Sequence, residues 1–174
     1  MNPGTVFQLA SPALSFVADL GVGALAGFVA ALALALPVRR RSSQTFAPAY
    51  VAASVLRRKK PDEIGLRDAS VAHHGAGALA GALYGVAFSA FSVLVPGLGR
   101  VDGVAGVAVL PHLLAVAVAV LSGYAAFAYL VLPRAGSAIY EEQSTAVRGQ
   151  WLRTSLVFGA TLTVVAPFVW SSAA

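Results

Sequence analysis

Four long apolar stretches, each with few charged residues, constrain the fold of this chain more than any other feature. They cover roughly residues 12–36, 71–95, 111–132 and 151–170. About 20 apolar residues of helix cross the hydrocarbon core of a bilayer, and a crossing segment must satisfy its own backbone hydrogen bonds. The chain is 58% hydrophobic and only 11% charged, which is too apolar for an ordinary soluble domain. The sequence therefore predicts an all-α fold, a four-helix transmembrane bundle that forms one integral membrane domain over residues 1–174.

The basic residues predict how this bundle is oriented. Eleven of the twelve Lys and Arg residues lie in segments 37–70 and 133–153, and only Arg100 lies elsewhere. Because cytoplasmic loops carry an excess of Lys and Arg, we expect loops 37–70 and 133–150 inside and both chain ends outside. Arginine outnumbers lysine in an alanine-rich chain, which suggests a prokaryote with a GC-rich genome and thus the cell (inner) membrane.

The first cytoplasmic loop contains a short apolar segment, FAPAYVAASVL, between two basic clusters. It is too short to span a bilayer, so we expect an interfacial helix with Tyr50, Val51 and Val55 turned toward the acyl chains. The flanking cations would then contact anionic lipid headgroups. These cations are Arg39, Arg40, Arg41, Arg57, Arg58, Lys59 and Lys60. The alternative is a solvated basic loop that binds nothing specific.

Two glycine-rich heptapeptides occur in the first two predicted spans: GVGALAG from Gly21 to Gly27 and GAGALAG from Gly75 to Gly81. Small residues four positions apart share one helix face and let two helix backbones approach closely. The predicted helix-packing residues are Gly23, Gly27, Gly77, Gly81 and Gly85. The copies begin 54 residues apart, so they could record an inverted duplication, but close packing requires none.

The third apolar stretch, from Val104 to Leu132, is longer than one crossing requires. As a straight helix it would cover about 43 Å, against a hydrocarbon core of about 30 Å. Pro111 offers a break, because proline removes a backbone donor and clashes with the preceding turn. Either the helix is tilted and kinked there, or residues 104–110 form a separate interfacial turn and the span begins near His112. We favour the second alternative.

Ionisable residues within predicted spans are functional candidates because their burial is costly. They are Asp19, His73, His74 and His112. If the protein is a transporter or channel, they would line an ion or proton path. Otherwise we expect the histidines to be interfacial side chains bonded to backbone carbonyls or to the basic loop. A haem is not expected, because His73 and His74 are predicted at the cytoplasmic side and His112 at the outer side. A zinc site would need three or four ligands, and adjacent histidines on a helix diverge by about 100°. We therefore expect no metal and no cofactor.

Enzyme signatures are also absent from the sequence. The chain has no cysteine, which excludes a disulfide, a thiolate nucleophile and an iron–sulfur cluster. It contains no GxSxG, no GxxxxGK[ST] and no HExxH. We therefore predict that the protein is not an enzyme.

Part of the sequence resembles a family of small prokaryotic membrane proteins. The resemblance rests on Ala26-Gly27 in the first helix and on the run from His73 to Gly85, in which histidine precedes G-x-x-x-G-A-L-Y-G. In these features the chain is similar to the YagU-like inner-membrane proteins. The resemblance implies a membrane topology and carries no activity over to this chain.

The leading functional hypothesis is association, as a homo-oligomer or as an accessory subunit of a membrane assembly. Its working surfaces would be the glycine faces and the basic loop. The alternative is a small oligomeric transporter or channel for protons, ions or small solutes; a membrane metal or haem protein is the third. The expected partners are a bilayer with anionic headgroups and a second membrane protein or copy. Because the basic residues follow the topology, they do not indicate nucleic acid.

Overall fold

The computed structural model describes residues 3–38, 47–94, 107–135, 141 and 144–173, and this part of the chain is all-α without a strand. The helices are α1 (Pro3–Val38), α2 (Ala47–Arg57), α3 (Leu66–Leu94), α4 (Val109–Ala125) and α5 (Ser144–Ala173). Four of them are long and apolar enough to cross a membrane: Phe16–Ala35, Leu66–Leu94, Val109–Arg134 and Ser144–Ser172. The predicted four-helix transmembrane bundle is thereby confirmed.

Helix α4 does not end as a regular α-helix. It continues through a π-helical turn, Ala126–Val131, and a 3-10 turn, Leu132–Arg134. At its start, Ala108 is extended and Val109 opens the helix, so Pro111 lies in the first turn. A first-turn proline costs no intrahelical hydrogen bond, because that N–H has no partner there in any case. The helix therefore begins at Val109 rather than being kinked at Pro111, so residues 109 and 110 belong to it and not to the predicted interfacial turn. Residues 104–106 of that predicted turn lie outside the described residues.

Small residues occupy the centre of the bundle, where the four long helices meet. The buried cluster includes Ala26, Ala30, Ala115, Ala119 and Ala166. Tyr84 and Leu162, both fully buried, are the two large side chains in the same cluster. Because there is no water to expel inside a bilayer, helices associate there through close packing, and alanine lets the backbones approach.

The short helix α2 exists as predicted, but one of its predicted contacts is wrong. Val51 is 5% exposed and packs with Phe127, Leu132 and Val147 instead of facing lipid. On its other side α2 contacts α3 through Ala53 and Ala69. Hydropathy marks a side chain as apolar but cannot distinguish lipid from protein as its neighbour. We call the end of the bundle that α2 covers the α2 end, and the other the opposite end.

Candidate functional site

The five predicted packing glycines lie at the contact between α1 and α3. A Cβ atom added to Gly27 would lie 2.6 Å from the Cα atom of Gly81, and one added to Gly23 would lie 2.9 Å from the Cα atom of Gly85. Gly77 meets Ala31 and the backbone of Gly27 in the same way. The two helices are antiparallel, because lower numbers on α1 face higher numbers on α3. Only glycine permits backbones this close.

This contact corrects one part of the association hypothesis. Both glycine faces are occupied within the chain, so neither is free to bind a second chain. The two heptapeptides contact each other with local two-fold symmetry: Gly27 meets the carbonyl of Gly77, and Gly81 meets the carbonyl of Gly23. Such symmetry is expected for any antiparallel pair of similar sequences, so duplication stays a hypothesis.

The ionisable residues at the opposite end have hydrogen-bond partners inside the bundle. Asp19 accepts a hydrogen bond of 2.6 Å from the Ser89 hydroxyl. His112 is 5% exposed, and its Nε2 lies 3.0 Å from the carbonyl oxygen of Thr163. Since a carbonyl can only accept, Nε2 carries the proton, and Nδ1 accepts from the Tyr84 hydroxyl at 2.8 Å. Through these two hydrogen bonds His112 of α4 is linked to both α3 and α5.

The two adjacent histidines lie toward the α2 end. His73 Nε2 donates to the carbonyl of Ala31 at 3.2 Å, and His74 Nδ1 donates to the carbonyl of Ser70 at 2.7 Å. Ala31 is 12 residues from Asp19 on α1, which corresponds to about 18 Å along the helix. Among the described residues, no three or more potential metal ligands form a group. Asp19, the histidine pair and His112 therefore form three separate groups, and an ion path through them stays a prediction.

A cavity that the sequence did not reveal lies between the four spans on the α2 side of Tyr84. Its volume is about 400 Å³, within the range of ligand pockets. His73 and Gly77 line it from α3, Val120 from α4, and Trp151 and Phe158 from α5. The π-helical turn of α4 contributes Ala126, Phe127 and Val131 to the wall. A π-helical turn inside an α-helix frequently marks a functional site.

Packed side chains close the cavity toward both ends of the bundle. At the α2 end, Ala52 of α2 lines the cavity, and Phe127 is stacked on Trp151 with ring centroids 4.4 Å apart. Toward the opposite end, Tyr84 contacts His112 and Trp170 edge to face, with both pairs of ring centroids 5.6 Å apart. These aromatic contacts lie between the cavity and the two ends of the bundle.

The cavity opens sideways, between α3 and α4. Leu79 on α3 lines it and is 74% exposed, and Ser122 and Ala126 on the facing helix also line it and are exposed. In a chain whose long helices cross a bilayer, this lateral surface faces lipid.

Of the five polar side chains along the wall, three are bonded to the protein's own backbone and two, Ser122 and Ser155, carry small hydroxyl groups. Trp151 Nε1 donates to the carbonyl of Gly123 at 3.3 Å, and the Thr154 hydroxyl donates to the carbonyl of Gln150 at 3.0 Å. His73 Nε2 is engaged by Ala31 as described above. The other lining residues are glycine or carry apolar side chains, so the wall as a whole suits an apolar ligand.

The basic residues predicted to contact lipid are described only in part. Arg57 forms an ion pair of 2.8 Å with Asp68 in the first turn of α3. Arg58, Lys59 and Lys60 are exposed in the turn that follows α2. Arg39, Arg40 and Arg41 lie outside the described residues.

These features define a class: a multi-pass helical membrane protein with a laterally open, apolar cavity. The chain matches no protein-family model, no curated protein and no solved structure. Its similarity to the YagU-like proteins therefore stays a prediction.

Proposed function

We propose that the protein binds an apolar chain taken from the bilayer and holds it in the cavity between α3 and α4. One observation carries the proposal: the cavity is closed toward both ends of the bundle and open toward lipid. A lipid acyl chain is the apolar chain that a bilayer supplies in abundance. The role is one of binding rather than catalysis.

Packing energetics support an occupant. Protein interiors contain few voids larger than a water molecule, and the atoms that line a void lose their dispersion contacts. The cavity of about 400 Å³ exceeds such a void many times over. An acyl chain that fills it restores these contacts, whereas water would meet a wall with few free polar partners.

We also propose that the α2 end faces the cytoplasm of a prokaryotic cell and that both chain ends lie outside. The Lys and Arg residues that the structure describes support this orientation, because all of them lie toward the α2 end. They are Arg57, Arg58, Lys59, Lys60, Arg67, Arg134, Arg148 and Arg153. An excess of cations on one side is the established signal for the cytoplasmic side.

Association with a second membrane protein or a second copy is compatible with this role, provided that it uses surfaces other than the glycine faces. Solute transport finds less support. A path across the bundle would have to pass Tyr84, His112 and Trp170, which pack together between the cavity and the opposite end.

The proposal is tested by filling the cavity and measuring lipid contact. Ala80 lines the cavity, so Ala80→Phe places a ring inside it. The chain has two tryptophans, so the substitution Trp170→Phe leaves Trp151, on the cavity wall, as the only tryptophan. In vesicles of phosphatidylcholine brominated on its acyl chains, Trp151 is expected to be quenched strongly. Ala80→Phe should weaken this quenching, because the ring excludes the brominated chain.

The matched control is Ala90→Phe, which makes the same change at an exposed position of the same helix. It should leave the quenching of Trp151 unchanged. Circular dichroism on both variants establishes that each remains folded. Equal quenching in the folded Ala80→Phe variant and in its parent would contradict the proposed function.

A further inference from the structure

The turn that ends α2 combines an unfavourable backbone conformation with three exposed cations. Arg58 has φ 55°, in the left-handed region. The N–H of Arg58 donates to the carbonyl of Val55 at 3.4 Å, and the N–H of Lys59 donates to the carbonyl of Ser54 at 3.1 Å. This is the Schellman arrangement, in which glycine usually occupies the left-handed position. Arginine there costs free energy that glycine would not, and such costs cluster at sites of function.

This turn lies beside the cavity. Ala52 lines the cavity, and Leu56, one helical turn later on the same face of α2, is 74% exposed. Arg58 follows at about 9 Å from Ala52 along the helix axis, at ~1.5 Å per residue. The ion pair between Arg57 and Asp68 fixes the turn against the start of α3, the helix that forms one side of the lateral opening.

The nearby acidic residues leave the turn positively charged. Asp62 and Glu63 belong to the 3-10 turn Pro61–Glu63 that follows Lys60. Within the described part of the chain, neither forms an ion pair with Arg58, Lys59 or Lys60. Arg58, Lys59 and Lys60, which we call the basic turn, are therefore available to an anion.

We propose that the occupant of the cavity is an anionic phospholipid, with one acyl chain in the cavity and its headgroup phosphate at the basic turn. This inference rests on the proposed function and names the class of its ligand. The lateral opening lets the second acyl chain stay in the bilayer, so the lipid need not leave its leaflet. The apolar wall and the exposed Leu56 match the chain, and the three cations match the charge of the headgroup.

The experiment compares two headgroups on the same brominated chains. The protein carrying Trp170→Phe is placed in vesicles of equal phosphatidylglycerol and phosphatidylcholine, with the bromine on one lipid or on the other. Quenching of Trp151 reports which lipid occupies the cavity. We expect a preference for phosphatidylglycerol of about five-fold or more, the factor that one cation near a membrane surface supplies.

Removing the basic turn should abolish this preference. The variant R58Q/K59Q/K60Q is expected to show equal quenching by the two lipids. Its matched control is R67Q/R134Q/R153Q, which removes the same charge from exposed residues outside the cavity wall. This control should keep the preference, because the headgroup contacts the basic turn rather than the charge of the whole surface.

The outcomes separate this inference from the proposed function. Equal quenching by both lipids in the parent, or an equal loss of preference in both triple variants, overturns the inference. If Ala80→Phe still weakens the quenching in that case, the proposed function stands, and the cavity binds the acyl chain of a lipid without preference for its headgroup. If Ala80→Phe has no effect, both fail.

Discussion

Single residues in this protein owe their roles to what surrounds them. His112 is one of four ionisable candidates in the sequence, yet Tyr84 and the carbonyl of Thr163 occupy both of its ring nitrogens. Arg58 looks like an ordinary member of a basic run, yet it is the one non-glycine residue with positive φ among those described. The type of each residue was enough to single it out in the sequence, but only its surroundings in the structure show which groups it contacts.

The backbone of Arg58 leads to a prediction on stability. Replacing Arg58 by glycine should raise the free energy of unfolding by about 1 kcal/mol, because glycine occupies the left-handed region without a Cβ clash. Lys60→Gly is the control: it removes the same charge at φ −71°, where glycine brings no relief. Both can be measured by denaturant titration in mixed micelles. A variant Arg58→Gly that is no more stable than Lys60→Gly would contradict the assignment of strain.

At the scale of elements, two features organise the bundle. The glycines of α1 and α3 bring two backbones together, while the continuation of α4 through a π-helical turn shapes the cavity wall. α2 then lies across the ends of α3 and α5 and buries Val51. The glycine contact between α1 and α3 follows from a sequence motif, whereas no motif indicated the π-helical turn or the position of α2.

The glycine contact predicts opposite effects for two similar substitutions on α3. A methyl group at Gly81 would lie 2.6 Å from the Cα atom of Gly27, so Gly81→Ala should cost about 2 kcal/mol or more by forcing the helices apart. At Gly75 an added Cβ has no neighbour within 4 Å. Gly75→Ala should therefore be neutral or stabilise the protein by up to about 1 kcal/mol, through helix propensity. Thermal unfolding in detergent measures both, and equal melting temperatures would be evidence against the close contact.

At the scale of the whole molecule, the arrangement of helices creates a compartment reached from lipid. Aromatic side chains pack on both sides of the cavity, toward the two ends of the bundle. Between these two aromatic clusters, the cavity opens sideways between α3 and α4. The described cations lie toward the α2 end of the bundle, and this excess of cations is the reason for proposing that the α2 end faces the cytoplasm. In that proposed orientation the cavity lies in the cytoplasmic half of the bilayer, where anionic lipids attract basic segments.

The orientation can be tested directly because the chain has no cysteine. Single cysteines replace Lys59 in the basic turn and Ser172 near the end of α5, both exposed positions. A membrane-impermeant maleimide added to intact cells should label Ser172→Cys at once and Lys59→Cys only after permeabilisation. The reverse pattern would place the α2 end outside the cell. It would then contradict the proposal that the cavity lies in the cytoplasmic leaflet.

Much of the fold was predictable because it depends on local chemistry. A span requires a run of apolar residues long enough to cross the bilayer, and a close helix pair requires small residues four positions apart. Both conditions can be read along one segment, as at Gly23 and Gly81. The π-helical turn and the burial of Val51 were not predictable, because they depend on neighbours distant in sequence. The position of Trp151 on the cavity wall was not predictable for the same reason.

The sequence by itself determined that this protein is helical, that it is apolar enough to cross a membrane four times, and where its charges fall. Each of these properties depends only on the residues within a single stretch of the sequence. Only the tertiary structure decided that the glycine faces meet each other, that His112 is held by Tyr84, and that α3 and α4 leave a cavity open to lipid. A cavity is space that several helices leave unfilled, so no single segment encodes it.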